Sequence, residues 1–228
     1  VPVYWGNRHW HPLLPDTLAQ IAADGHRRVL AVATSAYPSY SGCRAYREAL
    51  EAALPEGMRV DVLGNYARSA GFLDANTEAV VAALRNLPEA RLVLVTHSIP
   101  VAMAETAGPE PRAEGGTYVA WHREVAATIA ARAAAQLGRA VEHDLVYCSR
   151  SGPPQQRWLE PDVNDHLAAL ADAGVREVVL APIGFISDHM EVIYDLDTQA
   201  AQTARELGIR TARAATAGTH PAFVGWLA

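Results

Sequence analysis

Ser187-Asp188-His189-Met190-Glu191-Val192-Ile193-Tyr194-Asp195-Leu196-Asp197 follows directly on the apolar run 178–186, and this junction decides the fold. The run before Ser187 reads as a buried strand, and a strand end opening into a helix is where α/β proteins build their sites. If the segment after Ser187 is helical, Asp188, Glu191 and Asp195 stand at i, i+3 and i+7 and share one face. Three like charges in a row repel. Something cationic must offset them: solvent counter-ions, a metal ion or a proton-transfer path. Acidic residues in a first turn also serve as plain partners of the helix dipole.

Working outward, strand signals alternate with helix signals along the whole chain. Apolar, β-rich runs lie at 28–35, 60–63, 91–95, 144–148, 177–186 and 209–214. Ala-, Glu-, Arg- and Leu-rich stretches at 13–24, 42–53, 73–86, 118–137, 162–173 and 197–207 read as helices between them. Such alternation implies an α/β fold with parallel sheets wrapped by helices, and continuously apolar strands fit burial on both sheet faces. Residues 106–117, rich in Gly and Pro, read as a loop or rim. A division near 88–90 is expected, giving a partial first domain over 1–89 and a second over 90–228.

The chain has 228 residues, half of them apolar, which suffices for a sizeable core. A formal charge of −6 speaks against a nucleic-acid partner, since a phosphate-binding surface needs a basic excess. All 19 basic residues are Arg, which together with the Ala-rich helices suggests a GC-rich source genome. Two cysteines, Cys43 and Cys148, are too few for a disulfide scaffold, so the cytoplasm is the expected setting. No stretch is apolar for long enough to predict a membrane span. A monomer is expected.

A second motif sharpens the reading. Thr96-His97-Ser98-Ile99-Pro100 follows the strand at 91–95, and together with the 187–197 run it resembles the ferrochelatase family, which inserts ferrous iron into porphyrins. Supporting pieces stand in family order: Thr34-Ser35-Ala36-Tyr37, Tyr40-Ser41, Ser149-Arg150-Ser151-Gly152-Pro153 and Trp158-Leu159-Glu160-Pro161. The resemblance covers essentially the full chain. It implies two Rossmann-like, chelatase-type domains, the first incomplete, because Val1-Pro2-Val3-Tyr4-Trp5-Gly6 corresponds to text well inside the family's first domain. Pro221-Ala222-Phe223-Val224 resembles the start of the family's terminal helix, so truncation at both ends is expected.

The resemblance also implies roles. His97 and Glu191 carry over as the facing catalytic pair, and His97, Glu191 and Asp195 as metal-handling groups. The chemistry asks for such a set: two pyrrole N–H groups must lose protons while Fe²⁺, the metal substrate, sheds water, so a base and metal donors are needed together. Read without its motif, His97 would be a core histidine bonded to backbone. The macrocycle needs apolar walls, for which Tyr37, Met103 and Trp158 are candidates, each equally at home as core packing. Arg8 is a candidate for a two-pronged contact with a porphyrin propionate, while His9 and His11 read as rim residues. Gln199 stands where the family has Glu, which weakens an outer metal site beyond Asp195. Glu191, facing an apolar cleft between two acidic neighbours, is expected to have a raised pKa.

Cys43 resembles the internal cysteine that some members use to bind a [2Fe–2S] cluster. Four thiolates are required and the other three come from a C-terminal extension, so the cluster is expected only in a full-length protein. Otherwise Cys43 is a buried apolar thiol. The leading functional reading is iron insertion into a porphyrin, coproporphyrin III on resemblance, with delivery to a downstream haem-handling enzyme. The alternative is a non-catalytic porphyrin- or haem-binding remnant. A generic dinucleotide-binding domain is disfavoured, because no Gly-x-Gly-x-x-Gly or phosphate-loop pattern occurs.

Overall fold

The computed structural model describes residues 1–108, 115–153 and 155–228; the middle of the loop expected at 106–117 lies outside them. The chain divides into two compact units, Val1–Tyr66 and Ala67–Ala228.

In the first unit, α1 (Leu14–Ala23) and α2 (Ala45–Ala53) accompany two parallel strands, β1 (Arg28–Ala31) and β2 (Arg59–Val62), in the register Val29↔Val60. Leu18, Ile21, Leu50 and Met58 form their core. The expected helix at 42–53 begins earlier, in a π-helical turn (Tyr40–Arg44) whose N-cap Ser39 accepts a hydrogen bond from the Gly42 N–H. Its amide donors at that end would otherwise be orphaned. The strand expected at 28–35 stops at Ala31, and Leu30 within it is 62% exposed.

The second unit holds four parallel strands, β3 (Arg91–His97), β4 (His143–Cys148), β5 (Glu177–Ala181) and β6 (Arg210–Arg213), in the order β4-β3-β5-β6. Leu92, Val93, Leu94 and Val95 are all buried, so both faces of β3 are covered, as the unbroken apolar run implies. Alternation sends Val93, Val95 and His97 to one face and Leu92, Leu94 and Thr96 to the other. On the first face, Val93 and Val95 join Leu167 of α6 (Val163–Asp172) and Leu196 in one core. On the second lie α3 (Ala70–Asn86), the short α4 (Val101–Glu105) and α5 (Gly116–Leu137).

Where β5 was expected to run on to residue 186, Pro182 ends it after Ala181, since it brings no N–H to the ladder. A continuous helical segment then starts at Met190: α7 (Met190–Val192), a π-helical stretch (Ile193–Ala200) and α8 (Ala201–Glu206). The last helix, α9 (Pro221–Leu227), opens on the proline the sequence suggested.

The units do not divide in the 88–90 stretch. Helix α3 packs on α5 and α9, burying Phe72, Val80 and Leu84 there, so its apolar face ties it to the second unit. Connections leaving β3 go to the α5 face, whereas those leaving β5 go to the α6 and α8 face. The switch point, where open α/β sheets bind ligands, therefore lies between the C-terminal ends of β3 and β5.

Candidate active site

His97, the last residue of β3, projects on the α6 and α8 face at this switch point, and its Nε2 stands 3.4 Å from Oε1 of Glu191 in α7. The facing pair expected from the motifs is therefore present as a contact. Both groups stay open to solvent, with side chains 33% and 48% exposed. The His97 Nδ1 lies against the Ser98 carbonyl, so Nδ1–H donates there and Nε2 carries the lone pair when the ring is neutral.

Burial alone would lower the His97 pKa. The Glu191 hydrogen bond, the Ser98 carbonyl and the charges of Glu191 and Asp195 outweigh it, and the pKa rises above its ordinary value. The expected rise at Glu191 does not occur. The His97 hydrogen bond, the His97 charge and the His189 charge hold its carboxyl below the ordinary range, against partial burial that would lift it. The imidazole partners of Glu191, His97 and His189, decide its charge state, and its acidic neighbours have partners of their own.

Those partners explain how four carboxylates coexist. Asp188 precedes the helix, with His189 as N-cap, so it does not share the Glu191 face. Arg213 at the end of β6 holds Asp188 through two nitrogens at 2.9 and 3.0 Å and Asp197 at 2.7 Å. Asp195 accepts from the Ser149 hydroxyl. Ser149 has a left-handed backbone, φ 61°, and among the described residues it is the non-glycine with that conformation; such outliers persist where the surroundings over-determine them. Glu191 and Asp195 are separated by the start of the π-helical stretch, in which Ala201 N–H reaches Leu196 O, five residues back. Gln199 is exposed on the same stretch.

Of the proposed walls, Trp158 and Met103 border the His97 motif. Val101 N–H donates to Arg157 O, Leu159 N–H to Ile99 O and the Ser98 hydroxyl to Leu159 O, which lays the Trp158 segment along residues 98–101. The Trp158 indole N–H is buried without a hydrogen-bond partner. Met103 is half-buried in α4, a helix the sequence did not signal. Phe185, also missed, brings its ring to 6.2 Å from His97 and 5.4 Å from His189.

Arg8, Tyr37 and Cys43 lie in the first unit. The Arg8 guanidinium sits over the Tyr46 ring at 5.2 Å. Tyr37 is 2% exposed, which leaves almost no ring surface for a macrocycle. The Cys43 sulfur lies 3.1 and 3.4 Å from the Asn65 side chain. His9 and His11 are exposed. Within this chain the two cysteines do not complete an iron–sulfur cluster, because two sulfurs are half the number a cluster needs and Cys148 is a buried thiol whose pKa desolvation pushes up to about 12. Among the described residues no group of three or more His, Cys, Asp or Glu side chains is arranged to hold a metal ion. No helix among them is long and apolar enough to cross a membrane.

A parallel α/β sheet with an imidazole–carboxylate pair at its switch point marks an α/β protein whose site can accept and pass on protons. The ferrochelatase family model matches residues 1–228, and the chain belongs to that family. It is 50% identical to the coproporphyrin III ferrochelatase of Streptomyces griseus over 98% of its own length and 63% of that protein. It is 48% identical to that of Frankia alni (98% and 60%) and 46% identical to the ferrochelatase of Rhodopirellula baltica (98% and 62%). The chain thus spans less than two thirds of these relatives. Among solved structures it is similar in fold to SirB from Bacillus subtilis, with a TM-score of 0.57 at 12% identity, covering 95% of this chain and 75% of that one.

Proposed function

We propose that the protein to which this chain belongs inserts Fe²⁺ into coproporphyrin III and releases two protons. The observation that carries this reading is the approach of His97 Nε2 to within 3.4 Å of Glu191 at the open end of β3. With Nδ1–H spent on Ser98, the neutral ring offers Nε2 to a pyrrole N–H and becomes an imidazolium facing a carboxylate. Glu191 stabilises that cation, passes the proton to water and supplies an oxygen donor as Fe²⁺ leaves its hydration shell. The second pyrrole proton follows by the same route. Asp195, fixed by Ser149, adds negative potential that favours both imidazolium and incoming metal.

Trp158 and Met103 serve as walls beside the pair. Coproporphyrin as substrate rests on the relatives' own activity. We further assign the protein to the cytoplasm as a monomer passing its product to a downstream haem-handling enzyme, which the two unbridged thiols fit. Following the fluorescence of Zn²⁺ insertion into coproporphyrin III tests the reading. Turnover by the chain that His97→Ala abolishes supports it. Porphyrin binding with no insertion, by chain and full-length protein alike, would leave the non-catalytic remnant as the answer.

A further inference from the structure

Behind His97, on the opposite face of β3 from Glu191, lies a buried polar group for which the proposed chemistry has no use. His122 and Thr96 are 0% exposed and Tyr118 is 6% exposed. His122 and Tyr118 stand one turn apart on α5, their rings 4.3 Å between centroids. Desolvation pushes the His122 pKa down to about 3, so the ring is neutral at any working pH. Its protons can then be assigned: Nδ1–H donates to the Tyr118 carbonyl at 2.8 Å, and Nε2 accepts from the Thr96 hydroxyl at 2.7 Å.

The end of β3 explains where this network is applied. Pairing with β4 continues to His97↔Cys148, but pairing with β5 ends at Leu94↔Ala181. Beyond that point the carbonyls of Val95 and His97 face the side where β5 has turned away. Gly184 N–H takes the first at 3.2 Å, and the Tyr118 hydroxyl donates to the second at 2.9 Å. Tyr118 thus replaces a missing strand at the residue whose side chain meets Glu191. Thr96 also meets the loop that leads to Glu191, since a Cβ on Gly184 would fall 2.2 Å from its Oγ1. One network therefore touches both chain segments that bring the pair together.

We propose that Tyr118, Thr96 and His122 are positioning residues that fix the end of β3 and so hold the His97 imidazole against Glu191. The inference deepens the iron-insertion reading and rests on it for its effect on rate, but its geometric content is separate. A network that merely satisfied buried groups would stabilise the fold without governing the His97 ring.

The test uses the full chain with three near-isosteric variants: Tyr118→Phe, Thr96→Val and Thr96→Ser. Two quantities are read, the ring ¹⁵N signals of His97, assigned by their loss in His97→Gln, and kcat and KM for Zn²⁺ insertion. Tyr118→Phe and Thr96→Val should each shift or broaden the His97 signals and lower kcat by roughly tenfold to a hundredfold at little-changed KM, as a misplaced group does. Thr96→Ser, which keeps the hydroxyl, should restore both. Unchanged His97 signals in Tyr118→Phe and Thr96→Val overturn the proposal, whatever happens to thermal stability. If the parent chain proves inactive, the iron-insertion reading is in question while the ring signals still decide the positioning role.

Discussion

Replacing Arg213 by Met should loosen the start of the site helix, and the structure sets the size of the effect. Arg213 is 23% exposed and grips Asp188 and Asp197, each 36% exposed, across the junction between the β5 loop and the π-helical stretch. An exposed ion pair contributes about 0.2–1 kcal/mol, and a two-pronged, half-buried contact belongs toward the upper end. Two such pairs make the loss about 1–2 kcal/mol. At roughly 2–4 °C per kcal/mol for a chain of this size, Tm should fall by about 2–8 °C. Differential scanning calorimetry of both proteins at low and at 1 M salt checks this, because screening should shrink the gap between them. The site should respond as well, since Glu191 sits between the two anchored carboxylates, and Zn²⁺ insertion should slow several-fold. Equal Tm values at low salt, or a gap that salt leaves untouched, would refute the reasoning.

Gly184→Ala places a methyl 2.2 Å from Thr96 Oγ1 and 2.7 Å from Thr96 Cα, so backbone must move, and a destabilisation of about 1–3 kcal/mol is expected in denaturant titration. Stability should also carry the signature of the central pair. The raised His97 pKa contributes stability fully present below 6.5 and lost as pH rises through the folded value, and the lowered Glu191 pKa contributes stability fully present above 4.5 and lost as pH falls through the folded value. The Tm difference between the parent and Glu191→Gln should therefore be largest between those two values and narrow on either side; a difference flat with pH would contradict the pairing.

Most of the fold could be read in advance because parallel strands buried on both faces announce themselves as unbroken apolar runs, as at 92–95 and 178–181. Their ends could not. The residues beyond Ala181 are as apolar as those before it, and only Pro182 marks the turn; the π-helical widening at Ile193–Ala200 has no residue signal at all. The boundary near 88–90 was misplaced because α3 looks like any amphipathic helix, and which sheet it covers depends on α5 and α9, distant in sequence. Within the site, His97, Glu191 and Asp195 were legible from motifs. Arg213 and the geometry of Ser149 were not, because their partners lie 25 and 46 residues away in sequence. The expected rise of the Glu191 pKa left out the charge of His97, the partner its own motif placed opposite, and that of His189.

The central claim is that His97 and Glu191 act as one unit, and a double-mutant cycle in the rate of metal insertion into coproporphyrin III tests it most directly. Insertion is measured for the parent, His97→Ala, Glu191→Gln and the double variant, in the chain and in the full-length protein. Groups that work together lose most of their effect when either is removed. The double variant should therefore be scarcely slower than the worse single variant. Losses that simply multiply would show two independent residues and contradict the account.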